Sequence, residues 1–190
     1  MKNNELVLVC TDKYEDEKDW WVENIYHMIY QQYFDVESMH IIRDVKYGGV
    51  YDKLRIFEEC KDPNTNYIYF DLDVVITGPI EHLFRKELHL LYAWWREAFH
   101  TPLNSSIMSW KGDYSFIHTH FATDPEYFML KYDKGIDEFL FREFELERYE
   151  PVCCSYNYGG FNKLWSVCLF NQAAEKMREG GEWSEFLLSE

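Results

Sequence analysis

Positive charge is scarce in this sequence. Only 19 Lys and Arg residues stand against 34 Asp and Glu residues, so the 190-residue chain carries a formal net charge of −15. An acidic surface repels nucleic-acid backbones and anionic lipid headgroups, and we therefore expect neither as a partner. A small phosphorylated ligand remains compatible with this charge, because a bound metal ion can supply positive charge locally.

Long apolar runs are also absent. The run at residues 6–10 is too short for the hydrophobic part of a secretory signal, and no stretch approaches the length of a membrane span. The five cysteines show no metal-type spacing, and an odd count without a signal peptide indicates reduced thiols. These features predict a cytoplasmic protein.

Hydrophobic residues, in contrast, are abundant at 47%, and aromatic residues reach 19%. A chain of this length and composition folds as a globular protein, and it shows no internal repeat, low-complexity segment or linker. We therefore expect one domain over residues 1–190. The aromatic side chains either fill the core or stack on sugars or bases; Trp94, Trp95 and Trp110 are candidates for stacking on an acceptor.

Strand and helix patterns alternate in the first half of the chain. Residues 5–10 and 36–42 predict strands, and a helical period of apolar residues begins near Asp16. A helix over residues 51–60 and a loop over residues 62–66 lead into the next strand. This alternation is typical of an α/β sheet with crossover helices. The apolar positions of the first helix are Trp21, Ile25, Met28, Ile29 and Tyr33.

The second half of the chain adds further segments of both types. Its predicted strands are residues 88–95, 103–110 and 165–170. Its predicted helices are residues 80–84, one that starts at Asp124-Pro125, one after Gly135 and one through Met177.

The segment over residues 67–79 is the most informative stretch. An apolar strand runs into Asp71-Leu72-Asp73, and Gly78-Pro79 closes the segment. On an extended strand, residues i and i+2 point the same way, so both carboxylates are expected to leave one face at the carboxyl end of a buried strand. Ligands bind at that edge of α/β sheets, and a divalent cation would relieve the repulsion between the two acids.

Residues 69–84 resemble the Asp-x-Asp region of GT-A-type glycosyltransferases, in particular the glycogenin-like and lipopolysaccharide galactosyltransferase-like families. The resemblance implies an α/β, single-domain, GT-A-like (Rossmann-like) fold, with a mixed, mostly parallel sheet flanked by helices. It also implies a hexosyltransferase that depends on Mn²⁺ or Mg²⁺. The donor would be a nucleotide sugar, expected to be a UDP-sugar, the acceptor a carbohydrate or glycan, and the anomeric configuration retained.

Shorter matches precede the Asp-x-Asp segment in the order that the families have. Thr11-Asp12-Lys13-Tyr14 resembles the loop that holds the nucleotide, and Lys53 lies in a match to the helix whose basic residue touches the donor. The resemblance thus implies that Thr11, Asp12, Tyr14 and Lys53 bind the donor. In the same families the first acid, here Asp71, also reaches the ribose.

Further matches follow the Asp-x-Asp segment. Asn104 begins a stretch that resembles the strand beside the donor sugar, and Asp137 lies in a match to the helix start near the reacting carbon. The resemblance implies catalytic roles for both. In the closing element, Asn171 stands nearest to a metal-binding His of the families, so it is implied as the third metal ligand after Asp71 and Asp73. Lys176 is implied at the donor phosphates.

Two alternatives stay open. Residues 70–77 also resemble the motif of haloacid-dehalogenase-type phosphotransferases, in which Asp71 would be the nucleophile and Asp73 its acid/base partner. Val74 replaces the glycine of that motif, and a βαβα unit precedes it. The other alternative is a catalytically impaired GT-A-like binding protein, because Asn171 replaces the His. Among the scattered histidines, His40, His82, His89 and His100 could substitute for it in space.

Overall fold

A computed structural model describes residues 3–11, 14, 18–31, 36–97 and 100–188. The strands are β1 (Asn3–Val9), β2 (Ser38–Ile42), β3 (Thr65–Phe70), β4 (Val74–Ile76), β5 (His89–Tyr92), β6 (Leu103–Lys111), β7 (Glu147–Arg148), β8 (Cys154–Ser155) and β9 (Val167–Leu169). The α-helices are α1 (Lys18–Gln31), α2 (Ile56–Glu59), α3 (Ser115–Ala122), α4 (Pro125–Lys131), α5 (Ile136–Glu143) and α6 (Ala174–Glu179). Short 3₁₀ helices cover Gly49–Arg55, Glu81–Leu83, Tyr156–Tyr158, Asn171–Ala173 and Ser184–Phe186.

Six strands form the central sheet in the order β2-β1-β3-β6-β5-β7. β1 runs parallel to β2 and β3, β6 runs antiparallel to β3 and β5, and β7 runs parallel to β5. Only β6 therefore opposes the common strand direction. The mixed, mostly parallel sheet flanked by helices is confirmed.

The central position of β3 follows from its residues. Tyr67, Ile68, Tyr69 and Phe70 are all buried, and successive side chains point to opposite faces of the sheet. Ile68 and Phe70 pack in the core that contains α1, whereas Tyr67 and Tyr69 pack in the core that contains α2, α3 and α5. A strand with apolar residues on both faces is stable only between two such layers.

Most of the predicted elements are present. The apolar positions of α1 are buried, while its predicted start at Asp16 and its position Tyr33 lie outside the described residues. Asp124 caps α4 by accepting the backbone N–H of Tyr127, with Pro125 at the first helical position as predicted. The predicted helix over residues 51–60 consists of a 3₁₀ helix that continues into α2.

Two predictions about the chain path need correction. α3 was not predicted, although Ile117 and Phe121 are spaced by one helical turn and both are buried. The strand over residues 67–76 is interrupted, because the chain leaves the central sheet after Phe70. β4 instead pairs with β9 in a second sheet of order β4-β9-β8.

Over the described residues, no helix is both long and apolar enough to cross a lipid bilayer.

One polar cluster joins the helices on one face of the sheet. The carboxylate of Glu143 accepts hydrogen bonds from Lys131 Nζ at 2.8 Å and from the Tyr132 hydroxyl, and it lies 2.9 Å from His120 Nε2. The bonds from Lys131, Tyr132 and His120 together lower the pKa of Glu143 from 4.5 to about 2. Because the pKa is lower in the folded state, the carboxylate stabilises the fold above pH 4.5, and this contribution is lost as the pH falls towards 2.

We therefore expect Glu143→Gln to lower the free energy of unfolding at pH 7 by ~1–2 kcal/mol, because charge-assisted hydrogen bonds are lost. This corresponds to a decrease in Tm of roughly 3–8 °C. Thermal unfolding followed by circular dichroism between pH 7 and pH 2.5 should show the difference shrinking as the pH falls. The exposed Glu145→Gln serves as the control and should change Tm little. A pH-independent difference would contradict the assignment.

Candidate functional site

A cavity of about 820 Å³ opens where β3 ends. Its walls come from the turn after β3, the start of β6, the first turn of α5, the segment after β5, and the 3₁₀ helices at Tyr156–Tyr158 and Asn171–Ala173. This is the sheet edge at which the Asp-x-Asp segment predicted a ligand. The predicted site residues that line the cavity are Lys53, Asp71, Asp73, Asn104, Asp137 and Asn171.

Asp71 is held by two donors on one oxygen. Its Oδ1 accepts a hydrogen bond from the Tyr69 hydroxyl at 2.5 Å and lies 2.6 Å from Lys53 Nζ. Burial alone would raise the pKa of Asp71, but the Lys53 charge with the Lys53, Tyr69 and Ser106 hydrogen bonds outweighs it and holds the pKa below its usual range. Asp71 is therefore ionised.

Lys53 links Asp71 to the neighbouring strand. Its ammonium also donates to the carbonyl oxygen of Ser105 at 3.3 Å and to the Ser105 hydroxyl at 3.1 Å. The side chain comes from the 3₁₀ helix Gly49–Arg55 and is almost buried. Lys53 thus places a positive charge at the wall of the cavity, where a donor phosphate was expected.

Asp73 lies deeper than Asp71 and is only 2% exposed. The side chain of Tyr14 donates a hydrogen bond to it, and burial together with the charges of Asp73 and Asp71 raises the pKa of the Tyr14 phenol. Asp71-Leu72-Asp73 is a turn between β3 and β4, so the predicted i, i+2 geometry of one extended strand is wrong. Both carboxylates nevertheless line the same cavity.

Asp137 is the acid with the most polar contacts on the opposite wall. It receives Arg96 Nη2 at 2.6 Å, the backbone N–H of Ser105 at 2.8 Å and Asn104 Nδ2 at 3.3 Å. Gly135 precedes α5 with φ +73°, a conformation that glycine adopts without strain, and so brings the first turn of this helix to the cavity. Asn104 in turn accepts the N–H of Ser106 through Oδ1. Asn104 and Asp137 therefore form one network.

Asn171 completes the wall next to the Asp-x-Asp turn. It is the one non-glycine residue with positive φ (47°) among those described, a conformation that asparagine tolerates better than most residues. Its Oδ1 accepts a hydrogen bond from the Ser106 hydroxyl at 3.3 Å. The backbone N–H of Phe170 donates to the carbonyl of Asp73. Because Asn171 is the next residue after Phe170, this bond holds Asn171 close to Asp73.

The other predicted donor residues that the structure describes do not line the cavity. Thr11 is buried and Tyr14 packs edge-on against Trp21, and neither is part of the cavity lining. Asp12 lies outside the described residues. Lys176 is exposed on α6, pairs with Glu179 at 2.5 Å, and is likewise not in the lining.

The sequence interpretation missed two residues that contact the key acids. Arg96 lines the cavity and contacts Asp137, and no local pattern indicates this contact because the two residues lie on distant segments. Tyr69 contacts Asp71 two residues further along, and the i, i+2 spacing was the signal that could have found it. Of the stacking candidates, Trp95 lines the cavity, whereas Trp110 is fully buried in the core. Of the four scattered histidines, His100 lines the cavity.

The lining has the chemistry of a divalent-cation site. Asp71, Asp73 and Asn171 offer oxygen atoms, which are the ligands that Mg²⁺ and Mn²⁺ prefer. The lining contains five carboxylates against three Lys and Arg side chains. A diphosphate would add negative charge to this excess, so a cation in the cavity is required to balance it. The residues present therefore fit the implied metal.

Comparisons with known proteins agree with this architecture. No protein-family profile and no curated protein sequence matches the chain. Among solved structures, the glycosyltransferase GlyE of Streptococcus pneumoniae TIGR4 is similar with a TM-score of 0.66 and 13% identity over 97% of this chain. This chain spans only 63% of that GlyE structure.

Two shorter structures are similar along their whole length. A glycosyltransferase involved in glycosylation of the major capsid of PBCV-1 matches with a TM-score of 0.61 and 12% identity, over 94% of this chain and 100% of that one. The galactosyltransferase LgtC, in complex with donor and acceptor sugar analogs, matches with a TM-score of 0.60 and 12% identity, over 96% of this chain and 100% of that one. The chain therefore has the GT-A-like fold of these glycosyltransferases.

The pair of Lys53 and Asp71 gives a direct test of the site geometry. Loss of one partner of a buried ion pair leaves the other charge uncompensated, so we expect Lys53→Met to cost roughly 3–5 kcal/mol of unfolding free energy. In an Asp71→Asn background the same change should cost much less. Urea unfolding of the four proteins measures this coupling. Additive effects of the two substitutions would show that the pair does not form.

Proposed function

We propose that this protein is a metal-dependent glycosyltransferase that moves a hexose from a nucleotide sugar, with a UDP-sugar as the expected donor, to a carbohydrate or glycan acceptor. The observation that carries the proposal is the convergence of six predicted site residues on one cavity within a GT-A-like fold. The volume of about 820 Å³ suits a ligand of this size. We propose that residues 1–190 act as one such domain.

The donor end of the cavity is built by the Asp-x-Asp turn. Asp71, Asp73 and Asn171 would hold Mn²⁺ or Mg²⁺, which when bound supplies positive charge to the leaving diphosphate. Lys53 adds a fixed ammonium at the same end, already oriented by Asp71 and Ser105. A preoriented charge of this kind stabilises developing negative charge without reorganisation during the reaction.

The reacting end of the cavity is assigned to Asp137 and Asn104. Arg96 and the Ser105 N–H hold the Asp137 carboxylate in place. Asn104 donates to Asp137 and accepts the backbone N–H of Ser106. In this arrangement Asp137 faces the cavity as a fixed negative charge, suited to the positive charge that develops on a sugar during transfer. Retention of anomeric configuration is part of the proposal and follows from the resemblance alone.

The phosphotransferase alternative is less well supported. Its nucleophile must attack phosphorus, yet Oδ1 of Asp71 is already bound by Lys53 and Tyr69. In addition, β6 runs antiparallel beside β3, and the similar structures reported above are glycosyltransferases.

A catalytically impaired binding protein remains the second candidate, because a specific contact favours it. Tyr14 donates a hydrogen bond to Asp73, and this bond uses part of the acceptor capacity that a metal ligand would need.

A cytoplasmic location also belongs to the proposal. It rests on the odd count of five cysteines, all of which are buried.

Donor binding is tested by thermal unfolding with Mn²⁺, UDP, or both. We expect the pair at about 100 times the Kd to raise Tm by roughly 5–10 °C, and each alone to raise it less. Asp71→Asn/Asp73→Asn should abolish the shift, and the exposed Glu150→Gln should retain it. A shift with Mg²⁺ and beryllium fluoride but none with nucleotides would favour the phosphotransferase. The absence of a Tm shift under all of these conditions would refute both the glycosyltransferase and the phosphotransferase interpretations.

Catalysis by Asp137 is tested by Asp137→Asn. We expect kcat for sugar transfer or donor hydrolysis to fall on the order of 10²–10³-fold, because a fixed charge at the reacting end is lost. The Tm shift with Mn²⁺ and UDP should persist. The matched control is Asp133→Asn, since Asp133 also lines the cavity but pairs with Lys134 on the surface. An equal loss in both variants would contradict the assignment.

A further inference from the structure

We propose that Glu5, His40 and Cys60 form a second metal site, specific for Zn²⁺, on the face of the sheet covered by α2. One ligand atom from each residue lies within 4.8 Å of the others, and they form the only such group of His, Cys, Asp and Glu side chains among the described residues. No sequence motif indicated this site, because the three residues come from β1, β2 and the end of α2.

The pleat of the sheet brings Glu5 and His40 together. Glu5 is two residues from Val7, and His40 is two residues from Ile42, so each pair points to one face of its strand. Val7 and Ile42 belong to the core on the α2 side. In the parallel register, His40 lies beside Val7. Glu5 and His40 therefore form the polar margin of the face on which α2 packs.

Cys60 is fixed at this margin by its backbone. Its N–H donates to the carbonyl of Ile56 at 2.8 Å, and its carbonyl accepts Trp110 Nε1 at 3.1 Å. The thiol is 2% exposed, whereas Glu5 and His40 are half-buried. The sulfur thus lies at the inner end of the group, and the nitrogen and oxygen ligands lie towards the surface.

One sulfur, one imidazole nitrogen and one carboxylate oxygen form a ligand set that suits Zn²⁺ better than Mg²⁺ or Mn²⁺. Glu59 adds a carboxylate 2.8 Å from His40 Nε2. Such a carboxylate orients a zinc-bound histidine through the ring nitrogen that does not bind the metal. Arg55 binds the other oxygen of Glu59 at 2.9 Å and so keeps it in position.

Metal binding requires a small contraction of the group. Zn–S and Zn–N bonds of about 2.3 and 2.0 Å place tetrahedral ligand atoms roughly 3.3–3.8 Å apart. Because the ligand atoms all lie within 4.8 Å of one another, no pair has to approach by more than about 1.5 Å, which rotation of the half-buried Glu5 and His40 side chains can provide. The Cys60 thiol loses its proton to solvent when the Zn–S bond forms.

This site is separate from the donor cavity. Glu5 pairs with Tyr67 in the register of β1 and β3, and Asp71 lies four residues further along the chain. That offset corresponds to about 13 Å along the sheet. Zinc would tie β1, β2 and α2 together, and α2 continues the 3₁₀ helix that carries Lys53. Its expected role is structural.

Co²⁺ binding tests the proposal, because a cobalt–thiolate bond gives a charge-transfer absorption that carboxylate sites do not give. We expect the metal-free full chain to bind Co²⁺ with this absorption and Zn²⁺ to displace it. At about 100 times its Kd, Zn²⁺ should raise Tm by roughly 5–10 °C. Asp71→Asn/Asp73→Asn should leave the absorption unchanged, which separates this site from the donor site.

Two variants identify the ligands. Cys60→Ser should abolish the absorption, and His40→Gln, at a half-buried position where the fold is expected to survive, should weaken Co²⁺ binding at least tenfold. Cys154→Ser is the matched control, because Cys154 is also a buried thiol but lies in β8. A charge-transfer band that persists in Cys60→Ser, or its absence from the wild type, would overturn the proposal.

Discussion

The buried ion pair between Lys53 and Asp71 is the contact on which the candidate site depends. It joins the 3₁₀ helix Gly49–Arg55 to the end of β3, and through Ser105 it reaches β6 as well. Two charges removed from water are tolerated only when they satisfy each other. The acid at the end of β3 can therefore lie mostly shielded from solvent at the sheet edge. The segment that comprises β3 and Asp71 thus contributes to both the central sheet and the candidate site.

Local sequence patterns were sufficient for much of the fold. β3 was predictable because burial on both faces gives a continuous apolar run, and α1 because burial on one face imposes a period of 3.6. The break after Phe70 was not predictable, since Val74-Val75-Ile76 continues the apolar pattern. What interrupts the strand is pairing with β9, more than ninety residues later in the chain. Nothing in the local sequence of Val74, Val75 and Ile76 indicates that they pair with β9 and not with a strand of the central sheet.

The candidate site was predictable to the extent that its residues lie at the ends or starts of strands and helices. Asp71 follows the end of β3, Asn104 lies at the start of β6 and Asp137 at the start of α5, and the sheet topology brings them to one cavity. Lys176 was assigned from a short match alone, and the structure places it on the exposed side of α6. The contact between Arg96 and Asp137 joins two segments that are distant in the sequence. Tertiary packing determines such contacts, and it produces no periodic pattern in the sequence from which they could be predicted.

The charges of the cavity are compatible with the proposed anionic donor, even in so acidic a protein. Three acids that line it are each matched by a donor from the chain, Asp71 by Lys53, Asp137 by Arg96 and Asp73 by the Tyr14 hydroxyl. The first two partners are cations and can remain when a ligand binds. Tyr14 is neutral, and its hydrogen bond uses only part of the acceptor capacity of the Asp73 carboxylate. In the proposed metal site, Asp73 therefore shares its lone pairs between this hydrogen bond and the cation.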